Sequence, residues 1–190
     1  MGKNFPNLNH RARNMTAHII ENDVEDINQA VAIDRNAFDE GPLPKKCLCW
    51  VDKIHDLTIP TDGPYHVQTL HESIGVVGEI IPRNFLLFMF VWKIGYVLTC
   101  GNTVVLKTVE QAVLFALYAL KLLFACFKGI LNVISSFSPR AGAALCSHMD
   151  VDKLAFIVST DILTIFFKED KRINKYLVGY TEDTKDQKGS

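Results

Sequence analysis

The fold is decided by residues 73–107, SIGVVGEIIPRNFLLFMFVWKIGYVLTCGNTVVLK. The run from Ile74 to Ile81 is short and apolar, interrupted by Gly75 and Gly78 and ended by Pro82. Such a run reads as a strand buried on both faces. Asn84 is a good N-cap residue for an apolar helix over Phe85 to Leu98. Gly101 and Asn102 make a turn, and Thr103 to Lys107 is a β-branched strand. A strand, a helix and a strand joined this tightly form a crossover.

The pattern repeats downstream. A second apolar helix is expected over Glu110 to Phe127, closing near Gly129, and a third strand over Ile130 to Ser135. Pro139 sits where a first helical position would be, opening a short helix through Ala141 and Leu145. Lys153 to Val158 reads as a fourth strand. Strands alternating with helices predict an α/β fold, a parallel sheet with helices on both faces. Continuous apolar strands also account for a mean hydropathy of +0.13. Upstream, Asp23 to Phe38 has helical spacing, with Ile27, Ala30 and Val31 on one face. Asp23, Glu25 and Asp26 suit its first turn, and Gly41-Pro42 stops it. Residues 1–16 read as a polar leader, 17–72 as an N-terminal segment and 73–167 as the α/β domain. Residues 168–190 are a charged tail expected to lack structure.

At 190 residues, 48% hydrophobic and 22% charged, the chain has the composition of one globular domain with tails. A formal net charge of -1 removes any global electrostatic case for a nucleic-acid partner. The five cysteines, Cys47, Cys49, Cys100, Cys126 and Cys146, form no C-x-x-C pair. His66 and His71 miss the i, i+4 register, so no metal site is expected. The N-terminus has no apolar core of a secretory signal, which leaves location open between cytoplasm and mitochondrion. The apolar helices invite a membrane reading. Lys93 and Lys121 interrupt them, however, and the runs fall short of the ~20 residues a span requires.

In an open parallel sheet, ligands bind beyond the carboxyl ends of the strands. That rule selects residues 82–84, 107–111, 136–140 and 159–161, which supply a cation, a carboxylate, hydroxyls and helix N-termini. The mix suits a sugar-phosphate ligand. Each residue also has a plainer role: Asn84 as a helix cap, Lys107 as a solvated strand end and Glu110 as a first-turn acid. Ser159 and Thr160 are ordinary turn residues on that reading.

The segments Gly78 to Leu87, Trp92-Lys93, Gly101 to Lys107, Glu110-Gln111, Ala141 to Ala144 and Asp150 to Phe156 resemble the aldehyde dehydrogenase superfamily. They are most similar to its plant mitochondrial-type members, nearly continuously from Leu57 to Thr160. A weaker similarity covers Ala30 to Pro44, so residues 17–72 look like a remnant of the family's N-terminal segment. The chain then passes to Cys49–His55, skipping a stretch that family members carry. The resemblance implies a partial Rossmann-type domain that takes NAD without a G-x-G-x-x-G loop. By that analogy Lys107 and Glu110 hold the adenosine ribose hydroxyls, Ser159 meets the pyrophosphate, and Ile81 and Ile162 line the adenine pocket. Asn84 matches the amide that stabilises the oxyanion during acyl transfer.

Departures from the family pattern bear on activity. Arg83 stands for a tryptophan and Leu86 for a proline. Ser136-Phe137-Ser138 replaces a glycine-bearing turn, and Val158 replaces a glycine next to the pyrophosphate. A Cβ at either place opposes close approach of the backbone to the cofactor. The family's nucleophilic thiolate and general base lie beyond the Ser159-Thr160 pair. No cysteine follows Cys146, and Glu169 and Glu182 lie in sequence unlike the family's glutamate motif. The expectation is a truncated family member that keeps the nucleotide-binding scaffold and does not turn over aldehydes. The alternative is a non-enzymatic protein that binds full-length aldehyde dehydrogenase subunits. Membrane association ranks third.

Overall fold

The centre of the molecule is β5, Val76–Ile80, whose five residues are all buried. In the computed structural model, which describes residues 4–8, 15–40, 54–82, 86–109, 113–127, 129–136, 139–159 and 176–182, β5 lies in a parallel sheet of five strands. The others are β6 (Thr103–Thr108), β7 (Leu131–Ser135), β8 (Lys153–Ser159) and β9 (Tyr176–Glu182), in spatial order β7-β6-β5-β8-β9. Ile80 pairs with Lys107 on one side and with Phe156 on the other. The order reverses between β5 and β8, which makes their carboxyl ends the topological switch point of a doubly wound sheet.

Among the described residues, four helices cover the sheet: α1 (Val24–Glu40), α2 (Leu86–Thr99), α3 (Val113–Phe127) and α4 (Pro139–Ser147). Alternation along each strand sends side chains to two separate cores. Val105 joins Ile27 and Val31 of α1 and Leu145 of α4 on one face. Val104 and Leu106 join Phe90, Ile94 and Leu98 of α2 and Ala116 of α3 on the other. Helices on both faces of a parallel sheet are therefore observed as expected.

Asp23 caps α1. Its Oδ1 accepts from the backbone N–H of Glu25 at 3.0 Å and of Asp26 at 3.2 Å, and Asp26 Oδ2 accepts in return from Asp23 N–H at 3.0 Å. This reciprocal arrangement satisfies amides that have no partner within the helix. One residue earlier, Asn22 Oδ1 accepts from Ser135 N–H at 2.8 Å while Asn22 N–H donates to Ser135 O at 2.8 Å. The start of α1 is thereby fastened to the carboxyl end of β7.

The structure adds detail to three of these readings. The leader holds β1 (Asn4–Leu8), antiparallel to β2 (Met15–Ile20), with a bulge between Asn7 and Leu8. Residues 45–72, a mixed stretch in which Pro60, Gly63 and Pro64 mark turns, contain a short hairpin of β3 (Thr58–Ile59) and β4 (Val67–Gln68). The tail is not unstructured throughout, because β9 pairs in register with β8 from Lys153–Tyr176 to Ser159–Glu182. Hydrogen bonds to a neighbouring strand outweigh the charged flanks of that segment. Packing also crosses both expected boundaries, since α1 of segment 17–72 enters the core and β9 of the tail extends the sheet.

Candidate functional site

The carboxyl edge of the sheet carries Ile80 and Ile81 after β5, Lys107 and Thr108 on β6, Ser135 and Ser136 after β7, and Ser159 on β8. Parallel pairing places them in a row. The Ile81 N–H donates to Lys107 O at 3.3 Å, continuing the ladder one residue past β5 and fixing these two expected site residues side by side. Ile81 is buried among Phe90, Ile94 and Leu106, so its side chain closes the core directly beneath the edge. Lys107 is half-buried, and its Nζ donates to Thr108 O at 3.3 Å. Thr108 is fully buried and its hydroxyl has no partner among the described residues. Ser159 lies three residues beyond the Phe156 position that pairs with Ile80, at the end of β8 on the far side of the switch point.

Ile81, Lys107 and Ser159 are thus brought to one edge. Asn84, Glu110 and Ile162, together with Arg83 and Ser138, lie outside the described residues. An amine, a buried hydroxyl with no partner, serine hydroxyls and an apolar floor are donors and walls that fit the ribose and phosphate part of a dinucleotide. Among the described residues no group of three or more His, Cys, Asp or Glu side chains could hold a metal ion. Nor is any described helix long and apolar enough to cross a membrane.

Sequence reasoning passed over an ion pair beneath this edge. Glu79 on β5 is 2% exposed, and Lys93 Nζ on α2 lies 3.2 Å from its Oε2. The same Nζ donates to Ile80 O at 3.3 Å, so one ammonium holds both the carboxylate and the last carbonyl of β5. Burial pushes the Glu79 carboxyl up from its ordinary pKa, and the Lys93 charge opposes that shift. The available signal was a lone acid inside an otherwise apolar strand, followed by a lone cation inside an otherwise apolar helix.

Among the described residues, the cysteines occupy the other end of the molecule. Cys100 sits in the turn from α2 into β6, and Cys146 sits in the last turn of α4 ahead of β8. Cys126 closes α3 ahead of β7. In a parallel α/β layer, helix-to-strand connections run along the amino edge of the sheet. Among the described residues, no cysteine stands at the carboxyl edge.

Comparison with known proteins agrees with this geometry. A family model described as the aldehyde dehydrogenase family matches residues 43–176. The chain is 47% identical to the mitochondrial benzaldehyde dehydrogenase of Antirrhinum majus, covering 84% of this chain and 40% of that protein. It is 45% identical to the mitochondrial aldehyde dehydrogenase family 2 member B4 of Arabidopsis thaliana, with the same coverage. Both alignments run over 214 positions. Among solved structures, the E194S mutant of the Bacillus cereus aldehyde dehydrogenase superposes with a TM-score of 0.84 at 30% identity, covering 94% of this chain and 48% of that one. The NAD+ complex of the Bacillus cereus enzyme gives 0.83 at 31% identity, covering 93% and 47%. The chain therefore spans about two fifths of the length of the curated relatives it matches.

Proposed function

The chain belongs to the aldehyde dehydrogenase family, and from that premise we propose that it supplies the dinucleotide-binding part of such an oxidoreductase without turning over aldehydes by itself. NAD, when bound, would supply the hydride acceptor. The residues that would hold it are Lys107 and Glu110 on the ribose hydroxyls, Ser159 at the pyrophosphate, and Ile81 and Ile162 at the adenine. Asn84 would direct its amide at a developing oxyanion. By resemblance to the family pattern, Val158 and Ser138 replace glycines that let the backbone approach the cofactor, so the affinity is expected to be weak.

The observation that carries the reading is the polarity of the sheet. The donors gather at the carboxyl edge while Cys100, Cys126 and Cys146 stand at the amino-edge connections, a sheet's depth from where an aldehyde would meet the cofactor. A thiolate acts only within bonding reach of the carbonyl carbon. The test is NADH formation from NAD and a panel of aromatic and aliphatic aldehydes, with calorimetric titration of NAD. The expected result is no turnover and no saturation at micromolar NAD. Turnover abolished by replacing one cysteine would overturn the reading.

A second reading is favoured by one observation, the apolar outer surface of α2 and α3. On it, the chain acts by associating with a polypeptide of its own family.

A further inference from the structure

Helix α1 turns one acid into the core. Glu25, Asp39 and Glu40 are exposed, and Asp26 serves the cap. Asp34 follows Ile27 and Val31 at helical spacing and is fully buried with them. Asn132 of β7 donates from Nδ2 to Asp34 Oδ1 at 2.6 Å, while Oδ2 is buried and has no partner among the described residues. The charged groups of the surrounding elements are engaged elsewhere. On α1 itself, Arg35 is committed to Asp152 and to Asp150 O. From β7 comes only the neutral Asn132 amide. On β6, the Lys107 ammonium donates to Thr108 O. On β5, Val76 and Ile80 face α1, while Glu79 meets Lys93 of α2 on the opposite face. From α4 come apolar side chains and the partly buried Cys146, and His148 beyond it accepts from Asp150 N–H. A buried carboxyl whose one partner is a neutral amide keeps its proton, because the bare carboxylate would stand uncompensated in the core. Burial accordingly carries its pKa from 3.8 to about 8.

We propose that α1 is a proton-dependent clasp, closed on the sheet while Asp34 is neutral and opening as a unit, ahead of the sheet, when that carboxyl loses its proton. The construction of the fold allows α1 to part from the rest. The ladders joining β7, β6, β5, β8 and β9 are made without it. The helix is held instead by side chains: Ile27 and Val31 in the core, Asp34 on Asn132 and Arg35 on Asp152. Its start is pinned to the sheet where Asn22 and Ser135 exchange hydrogen bonds, which leaves a hinge at the carboxyl end of β7. A segment attached in this way opens at lower free energy than the strands it covers. The proton sets the balance. The closed clasp binds it up to about pH 8, whereas in the open clasp Asp34 returns to water and releases it above its ordinary value of 3.8. Opening therefore becomes easier as pH rises between these values and no easier beyond them.

The test is hydrogen–deuterium exchange on the full chain at pH 5.5 and 7.5, read peptide by peptide and corrected for the intrinsic pH dependence of amide exchange. Each pH unit inside the window multiplies the opening constant by about ten, so the peptide covering Val24–Glu40 should lose protection about a hundredfold between the two conditions. At both it should be protected about tenfold less, or lower still, than peptides covering Val76–Ile80 and Thr103–Thr108. D34N, which has the shape of the neutral acid and no proton to lose, should abolish the pH effect. D39N, at an exposed position of the same helix, should leave it intact. If D34N does not fold, D34L takes its place, and the comparison of α1 with the sheet in the unaltered chain needs no variant. Equal protection of α1 and the sheet strands overturns the proposal. Protection of α1 that ignores pH does so too, as does a pH effect that survives in D34N or D34L.

Discussion

Arg35 on α1 places Nη2 2.6 Å from Asp152 Oδ2, across 117 residues of chain. The same Oδ2 accepts from Val76 N–H at 2.9 Å, and Arg35 also donates to Asp150 O at 2.7 Å. One carboxylate oxygen thus ties the entry of β8 to the entry of β5 and to a helix from the N-terminal segment. Replacing Asp152 by alanine strands the Val76 N–H and breaks the Arg35 ion pair, at an expected cost of roughly 1–3 kcal/mol in urea unfolding. Arg35→Ala removes only a partly exposed ion pair and should cost less, about 0.2–1 kcal/mol.

Gly75 stands against that carboxylate. Its φ is +130°, and a Cβ there would fall 2.0 Å from Asp152 Oδ2. Gly75→Ala combines backbone strain with a clash and should destabilise by roughly 1–3 kcal/mol on thermal or urea unfolding. In the Gly75→Ala, Asp152→Ala double variant the clash disappears and the strain remains. The two costs should therefore sum to more than the double variant shows.

Asp34 predicts a pH dependence. Asn132 Nδ2 donates to its Oδ1 at 2.6 Å, Oδ2 has no partner among the described residues, and burial pushes its pKa up from 3.8 to about 8. Between those values the folded chain keeps a proton that the unfolded chain has lost. Stability should therefore fall as pH rises through this window, by up to ~1.4 kcal/mol per pH unit, and level off above it. Asp34→Asn keeps an acceptor for Asn132 and removes the proton, so it should flatten that part of the profile and stabilise the protein at pH 8. Denaturation midpoints from pH 5 to 9 provide the check.

The Lys93–Glu79 pair should respond asymmetrically. Lys93→Met leaves a buried carboxylate without its cation and releases Ile80 O, at an expected cost of about 3–5 kcal/mol. Adding Glu79→Gln removes the uncompensated charge and should recover a large part of the loss. Chemical denaturation of both variants measures the difference.

Restoring small residues at the cofactor edge tests the proposed binding mode. Val158→Gly with Ser138→Gly should strengthen NAD binding by about tenfold, ~1.4 kcal/mol. Lys107→Ala in that background should weaken it. Calorimetry reads both, and an affinity indifferent to all three changes would remove these residues from the site.

The crossover pattern was legible because every β–α–β unit from Val76 to Ser159 carries its own local signals: apolar runs, an N-cap, and glycine or proline at the joints. Strand β9 was hidden because Tyr176–Glu182 is flanked by charge and its stabilisation comes from pairing with β8, a contact no local window contains. The β1–β2 hairpin was missed for a similar reason, with Pro6 inside one strand and a bulge at Asn7–Leu8. The edge rule placed Lys107 and Ser159 at the carboxyl ends of their strands from local sequence alone. The Glu79–Lys93 contact needed the third dimension, since only the packing of α2 on β5 brings the two together.

The order of strands also sets what a shortened chain would expose. Strand β8 lies with its inner edge matched to β5 and its outer edge to residues 176–182. A chain clipped before Tyr176 would keep β8 as a border strand with a row of unpaired amides and carbonyls, the kind of edge on which other polypeptides add strands.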